Sequence, residues 1–274
     1  MAKTKIEWTA TPMPGGTLMP GYTFNPWQGC TKKSPGCKNC YAEAMTKRFI
    51  GDGFWGPQGK RKFQSDDYWK KPITWNTKAE KLGVGLKVFC GSMCDVFEIH
   101  QDKDISIRLN KARFNLCALI DYTPNLDWLL LTKRPENIMR LGWTPGYFGL
   151  INHAWLGTSV ENQEMADLRI PELLKIPAKV RFLSCEPLLE EINLRKYLAK
   201  WDMDTIHFGG DKIQLINWVI VGGESGPRKR PFNPDWARSL RDQCKEAGVP
   251  YFMKQINKID PIPDDLMIRE FPNG

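Results

Sequence analysis

Six apolar runs of similar length, each ending in polar residues, constrain this chain more than any other feature. They are LKVFCGSMCD (86–95), LDWLLLTKRPE (126–136), AWLGTSVEN (154–162), KVRFLSCEPL (179–188), INWVIVGGESG (216–226) and VPYFMKQ (249–255). Continuous apolar runs of this kind mark strands buried on both faces. Amphipathic stretches separate several of them, at Ile105–Ile120, Pro135–Leu141, Gln163–Leu174 and Pro234–Gly248. Strand, helix, strand alternation predicts a parallel sheet. A short strand near Tyr22–Asn25 brings the expected count to seven, and Tyr41–Phe49 reads as a short helix. Seven such strands fit either an open doubly wound sheet or a full or partial (β/α) TIM-type barrel.

The strand ends favour the barrel. Ser92 and Asp95, Thr132 with Lys133 and Arg134, Ser159 and Glu161, Ser184 and Glu186, Glu224 and Ser225, and Lys254 and Gln255 all close apolar runs. A parallel barrel gathers those carboxyl ends on one face, where active sites sit. A doubly wound sheet would concentrate its site at one switch point. The expected architecture is therefore α/β, one barrel domain over residues 1–274. A basic, aromatic insertion occupies 51–85, with 51–75 read as extended, and a tail follows from 256 to 274.

No run of about 18 apolar residues exists, so no transmembrane helix is expected. Met1–Pro14 lacks the apolar core of a signal peptide, so a cytoplasmic location is expected. The net charge is +8, and 12 of the 39 Lys and Arg lie in residues 1–75 against only 5 Asp and Glu. Residues 76–274 hold 27 against 26. A basic segment points to a polyanionic partner, most often nucleic acid. Lys60, Arg61 and Lys62 are its core, and Trp55, Tyr68 and Trp69 beside them are candidate base-stacking rings. Arg228, Lys229 and Arg230 add a second short basic run.

Three of the eight cysteines, Cys30, Cys37 and Cys40, fall in GCTKKSPGCKNCYAEAM, a C-x6-C-x2-C spacing. In a cytosolic chain, clustered cysteines indicate metal. Three thiolates can hold three irons of a [4Fe–4S] cluster and leave the fourth iron open. A zinc site needs a fourth ligand, and His100, His153 and His207 are all distant in sequence, leaving Cys90 or Cys94. Cys117 and Cys244 read as core residues.

A triple cysteine after the first strand of a β/α barrel resembles the radical S-adenosylmethionine (SAM) superfamily. The usual spacing there is C-x3-C-x2-C with an aromatic before the last cysteine. This chain has six intervening residues and Asn39 in the aromatic's place. NPWQGCTKKSPGCKNCYAE, LTKRPE, GTSVEN, RFLSCEPL, WVIVGGESG and PDWARSLRDQC together resemble a narrower, phage-type family. That family is known as a domain of unknown function and is distantly similar to spore photoproduct lyase. The resemblance implies a [4Fe–4S] cluster on Cys30, Cys37 and Cys40 that binds SAM. Fed by an external electron donor, it would release a 5′-deoxyadenosyl radical.

By the same resemblance, Ser92 and Asp95 are candidates for the methionine amine. Ser159, Glu161, Ser184 and Glu186 are candidates for ribose and carboxylate. Gly222, Gly223 and Glu224 would face adenosine or substrate, or make a tight turn. Cys94 and Cys185 are candidate hydrogen donors. Thr132, Lys133, Arg134 and Lys254 suit an anionic part of the substrate. The sharpest substrate reading is DNA, with rearrangement of an amino-acid-modified thymidine in phage hypermodification and repair of a thymine lesion beside it. A radical SAM enzyme acting on a small molecule or peptide, and a non-catalytic zinc-stabilised nucleic-acid binder, are the alternatives.

Overall fold

The computed structural model describes residues 4–143, 154–198, 200–201, 213–214, 216–226 and 228–272; His153 and His207 lie outside them. Seven parallel strands form its frame: β1 (Tyr22–Phe24), β2 (Leu86–Cys90), β3 (Leu126–Thr132), β4 (Ala154–Ser159), β5 (Val180–Cys185), β6 (Trp218–Gly222) and β7 (Tyr251–Gln255). They hydrogen-bond in simple chain order, β1 to β7. Consecutive order settles the choice left by the sequence. A doubly wound sheet reverses direction at a switch point, and this one never reverses. It is a curled, partial TIM-type barrel.

The helices of five residues or more are α1 (Tyr41–Phe49), α2 (Lys71–Leu82), α3 (Lys103–Tyr122), α4 (Glu136–Arg140), α5 (Gln163–Leu174) and α6 (Pro234–Ala247). Local chemistry fixes several of their ends. Asp102, Asn162 and Asn233 cap α3, α5 and α6 by accepting backbone N–H groups of Ile105, Met165 and Asp235. Gly248 stops α6 at φ 65°, a left-handed position that costs glycine little.

The insertion is less irregular than expected. It becomes helical at Asp66–Trp69 and again in α2, which buries Pro72, Trp75 and Ala79. Lys62–Phe63 pairs antiparallel with Trp27–Gln28, which ties the insertion back to the N-terminal segment.

Strand residues alternate between two cores. Leu86, Val88, Leu130, Leu156, Leu183 and Val221 belong to the larger core, which the helices share. Phe89, Leu129, Trp155, Phe182, Trp218 and Phe252 point into the concave interior with Trp8. Gly157 on β4 makes room there, because a Cβ would lie 2.4 Å from the Phe182 ring. Glu7–Thr9 packs against both β2 and β7, bridging the open side of the barrel. Trp8 stands 4.6 Å from Phe89 and 6.2 Å from Trp218, centroid to centroid. Among the described residues, no helix is long and apolar enough to cross a membrane.

Candidate active site

Cys30, Cys37 and Cys40 lie on the loop between β1 and α1, and all three line a cavity at the carboxyl ends of the strands. None forms a disulfide. Cys40 is the N-cap of α1. Burial raises its thiol, and the backbone N–H groups of Ala42 and Glu43 oppose that rise. Burial also pushes up the Cys30 thiol, aided by Glu98 and opposed by Arg134, whose Nη1 lies 3.6 Å from the sulfur. The Lys33 backbone N–H reaches the Cys37 sulfur at 3.5 Å. Three free thiols, each with an N–H or guanidinium donor aimed at it, fit the thiolate ligands of an iron–sulfur cluster, whose sulfurs take such hydrogen bonds. Among the described residues, no three His, Cys, Asp or Glu side chains close around a single ion.

Carboxylates from three strand ends hold the cysteine loop in place. After β2, Glu98 accepts the Thr31 backbone N–H at 2.7 Å and forms a fully buried pair with Arg61 at 2.7 Å. Asp95, also after β2, accepts from the Thr132 hydroxyl, the backbone of Phe97 and Lys133, and Arg134 Nη1 at 2.9 Å. Arg134 in turn donates to the Thr31 carbonyl. After β4, Glu161 accepts from the Ser34 hydroxyl, the Gly36 backbone and Arg169. Gly36 is required by this approach, since a Cβ there would sit 2.9 Å from the Glu161 carboxylate. After β6, Glu224 accepts from Asn39 and Arg230, and Arg230 also reaches the Pro35 carbonyl. Burial raises the Asp95, Glu161 and Glu224 carboxyls, but their cationic and N–H partners win and hold all three below the usual range.

The strand-end candidates therefore divide. Asp95, Glu161, Glu224, Thr132 and Arg134 spend hydrogen bonds on the loop and its supports. Ser92 bonds Asn25 and offers its carbonyl to Tyr41. A second group faces the cavity with less committed chemistry. Lys133 reaches Ser159 Oγ at 2.9 Å and has no ion pair among the described residues. Lys254 holds both Glu186 oxygens, at 2.6 and 2.8 Å. Ser184, Gly223 and Cys94 also line the cavity, whose floor includes Trp8 and Phe89. Gly222 lies on β6 beside Gln255.

Several sequence expectations need correction. Cys185 does not face the cavity; it is buried in the helix-side core. Arg61 is not a surface cation. Its Nε and both terminal nitrogens are spent on Glu98, the Thr31 hydroxyl and the carbonyls of Phe54, Gly56 and Gly59. Lys60 and Lys62 on either side are exposed. Tyr68 and Trp69 pack on Phe24, each at 5.1 Å, so they are packing rings rather than stacking platforms. Trp55 does line the cavity. The His100 ring is engaged by the Gly59 carbonyl and the Asp102 backbone. Glu98, Asn39 and Arg169 were not anticipated. Their partners lie far away or within loops, and no local motif announces them.

The seven-stranded parallel half-barrel, with its three-cysteine loop after the first strand, has the fold of spore photoproduct lyase. The chain belongs to the family described as "Protein of unknown function (DUF5131)", which matches residues 3–263. A spore photoproduct lyase with one tyrosine changed to phenylalanine shares the fold, with a TM-score of 0.50 at 8% identity, covering 84% of this chain and 75% of that one. Spore photoproduct lyase complexed with dinucleoside spore photoproduct gives 0.49 at 10% identity, over 84% and 75%. A double mutant with bound AdoMet and the same dinucleoside gives 0.48 at 10%, over 85% and 76%. No curated protein matches the sequence.

Proposed function

We propose that this protein is a radical SAM enzyme acting on a nucleic-acid base, with rearrangement of an amino-acid-modified thymidine in phage DNA as its reaction. The observation that carries the reading is the position of Cys30, Cys37 and Cys40. They form one wall of a cavity whose other walls are the carboxyl ends of the strands. A bound cluster and SAM would supply a carbon radical strong enough to take hydrogen from an unactivated C–H bond.

The chain's own residues do the rest. Asp95, Glu98, Glu161 and Glu224 fix the cysteine loop. Lys133, free of ion pairs among the described residues and beside Ser159, is placed for an anionic group. Glu186 and Lys254 offer one acidic and one basic contact side by side, which suits the ammonium and carboxylate of an amino acid. Trp8 and Phe89 close the floor and exclude water.

Anaerobic purification tests the cluster. The wild type should be brown, absorb near 400 nm and cleave SAM with a reductant, and the Cys30→Ala, Cys37→Ala, Cys40→Ala triple variant should hold no iron. A triple variant that keeps its iron overturns the cluster assignment. Mass spectrometry of nucleosides from treated phage DNA tests the substrate. An altered or isomerised thymidine adduct supports the reading, thymine released from a dimer replaces it with lesion repair, and an unchanged nucleoside pool rejects it.

A further inference from the structure

Helix α1 buries very little of itself. Only Ala42 and Thr46 are buried, while Tyr41, Met45 and Phe49 are 42%, 45% and 68% exposed. These three recur every four residues, so they form one apolar stripe along the helix. The stripe begins at the cavity, which Tyr41 lines. It ends at Phe49, about 12 Å further along at 1.5 Å per residue. The Arg48 guanidinium covers the Phe49 ring at 5.1 Å and makes no ion pair among the described residues. Lys47 on the flank pairs with Glu43 at 2.9 Å, so Arg48, and Arg228 beyond Lys47, are the cations left beside the stripe.

An apolar stripe left open to water beside a functional cavity calls for an occupant. Aromatic rings flanked by cations bind unpaired bases, because the rings stack on them and the cations meet their phosphates. A second copy of this chain fits poorly, since a two-fold contact would set these cations against themselves. We propose that the exposed face of α1 is the track for the strand flanking the target base, and that the enzyme draws its base from an unpaired segment of nucleic acid. This rests on the nucleic-acid reading above. A duplex hides its base faces, so only an opened or single strand can use the stripe. At about 3.4 Å per stacked base, the stripe holds three or four bases.

Fluorescence anisotropy with a short labelled single strand, and with the same sequence as duplex, tests the proposal on the intact protein. The wild type should prefer the single strand. Phe49→Ala should weaken single-strand binding at least fivefold without changing its salt slope, and Phe49→Trp should restore it. Arg48→Gln should lower the slope by about 0.7. Iron per chain should stay at the wild-type level in all three variants. If the wild type binds and Phe49→Ala binds equally well, the track is overturned while the nucleic-acid reading stands. If the wild type binds neither probe, both fall. A wild-type dimer that Phe49→Ala converts to monomer would make the stripe a contact between copies, which also overturns the proposal.

Discussion

The two ends of this half-barrel handle charge in opposite ways. At the carboxyl ends, buried cations are paired: Arg61 with Glu98, Arg134 with Asp95, Arg169 with Glu161. Deeper inside, the interior is filled with rings, where Trp218 lies 6.2 Å from Trp155 and 6.0 Å from Phe252. One lysine enters that aromatic region. Lys87 is buried without a salt bridge among the described residues, and its ammonium lies over the Trp155 and Phe271 rings. Charge at the mouth organises a loop, so losing a partner there should damage function and stability together. Charge among the rings organises nothing comparable, so losing it should cost little.

Glu98→Ala should show the largest effect. It strands the Arg61 guanidinium in a buried site and frees the Thr31 N–H. Breaking a buried pair in this way costs about 3–5 kcal/mol. Because Thr31 adjoins Cys30, iron per folded chain should also fall. Trp218→Ala should cost a similar amount, about 3–5 kcal/mol, through the cavity it leaves. Its folded fraction should nevertheless keep full iron. Denaturant unfolding with iron analysis on the same samples separates the two. Equal iron loss in both variants would erase the distinction between mouth and interior.

Lys87→Met should run the other way. Burial is the main cause that lowers the Lys87 ammonium to about 8, against a smaller opposing pull from Asp127. A lowered lysine pKa means that the fold penalises the charged form. The penalty is complete below pH 8, shrinks as the pH rises toward about 10.5, and vanishes above that. At pH 7 the variant should be more stable by on the order of 2–3 kcal/mol. Methionine cannot replace the cation–π attraction between the ammonium and the two rings, which trims that gain. Melting curves at pH 7 and pH 10.5 check it, and a gap that does not narrow with pH would assign the effect to packing.

This contrast also explains which parts of the molecule were legible in the sequence. Six of the seven strands were legible because each is a continuous apolar run with a polar end. α5 and α6 were legible as amphipathic stretches between the apolar runs, and Asp235 and Gly248 mark the ends of the second. The clamps were not legible, because Glu98 finds Arg61 across 37 positions and Glu161 finds Ser34 across 127. No period or spacing encodes such pairs. Cys185 was a missed inference of a different kind. Phe182 points inward on β5, so period two already places Ser184 inside and Cys185 outside. α2 was hidden by Pro72, which suits a first helical turn but reads as a breaker within a Gly- and Pro-rich stretch.

The smallest effect on stability belongs to the insertion's basic run, where three adjacent cations look alike in sequence. Lys60 and Lys62 are exposed and Arg61 is buried between them, so substituting the two lysines tests surface charge alone. Lys60→Gln with Lys62→Gln should shift stability by less than about 0.5 kcal/mol. If these lysines meet phosphates, the slope of log affinity against log salt should fall by about 1.4 for a single strand. Arg61→Gln should behave oppositely, lowering stability by leaving Glu98 buried and unpaired, with the slope moved only as far as the fold is lost. A double-lysine variant with an unchanged slope would leave the charge beside the mouth a role in solubility. A reduced slope would extend the binding surface from the mouth onto the insertion, on residues that contribute almost nothing to holding the fold.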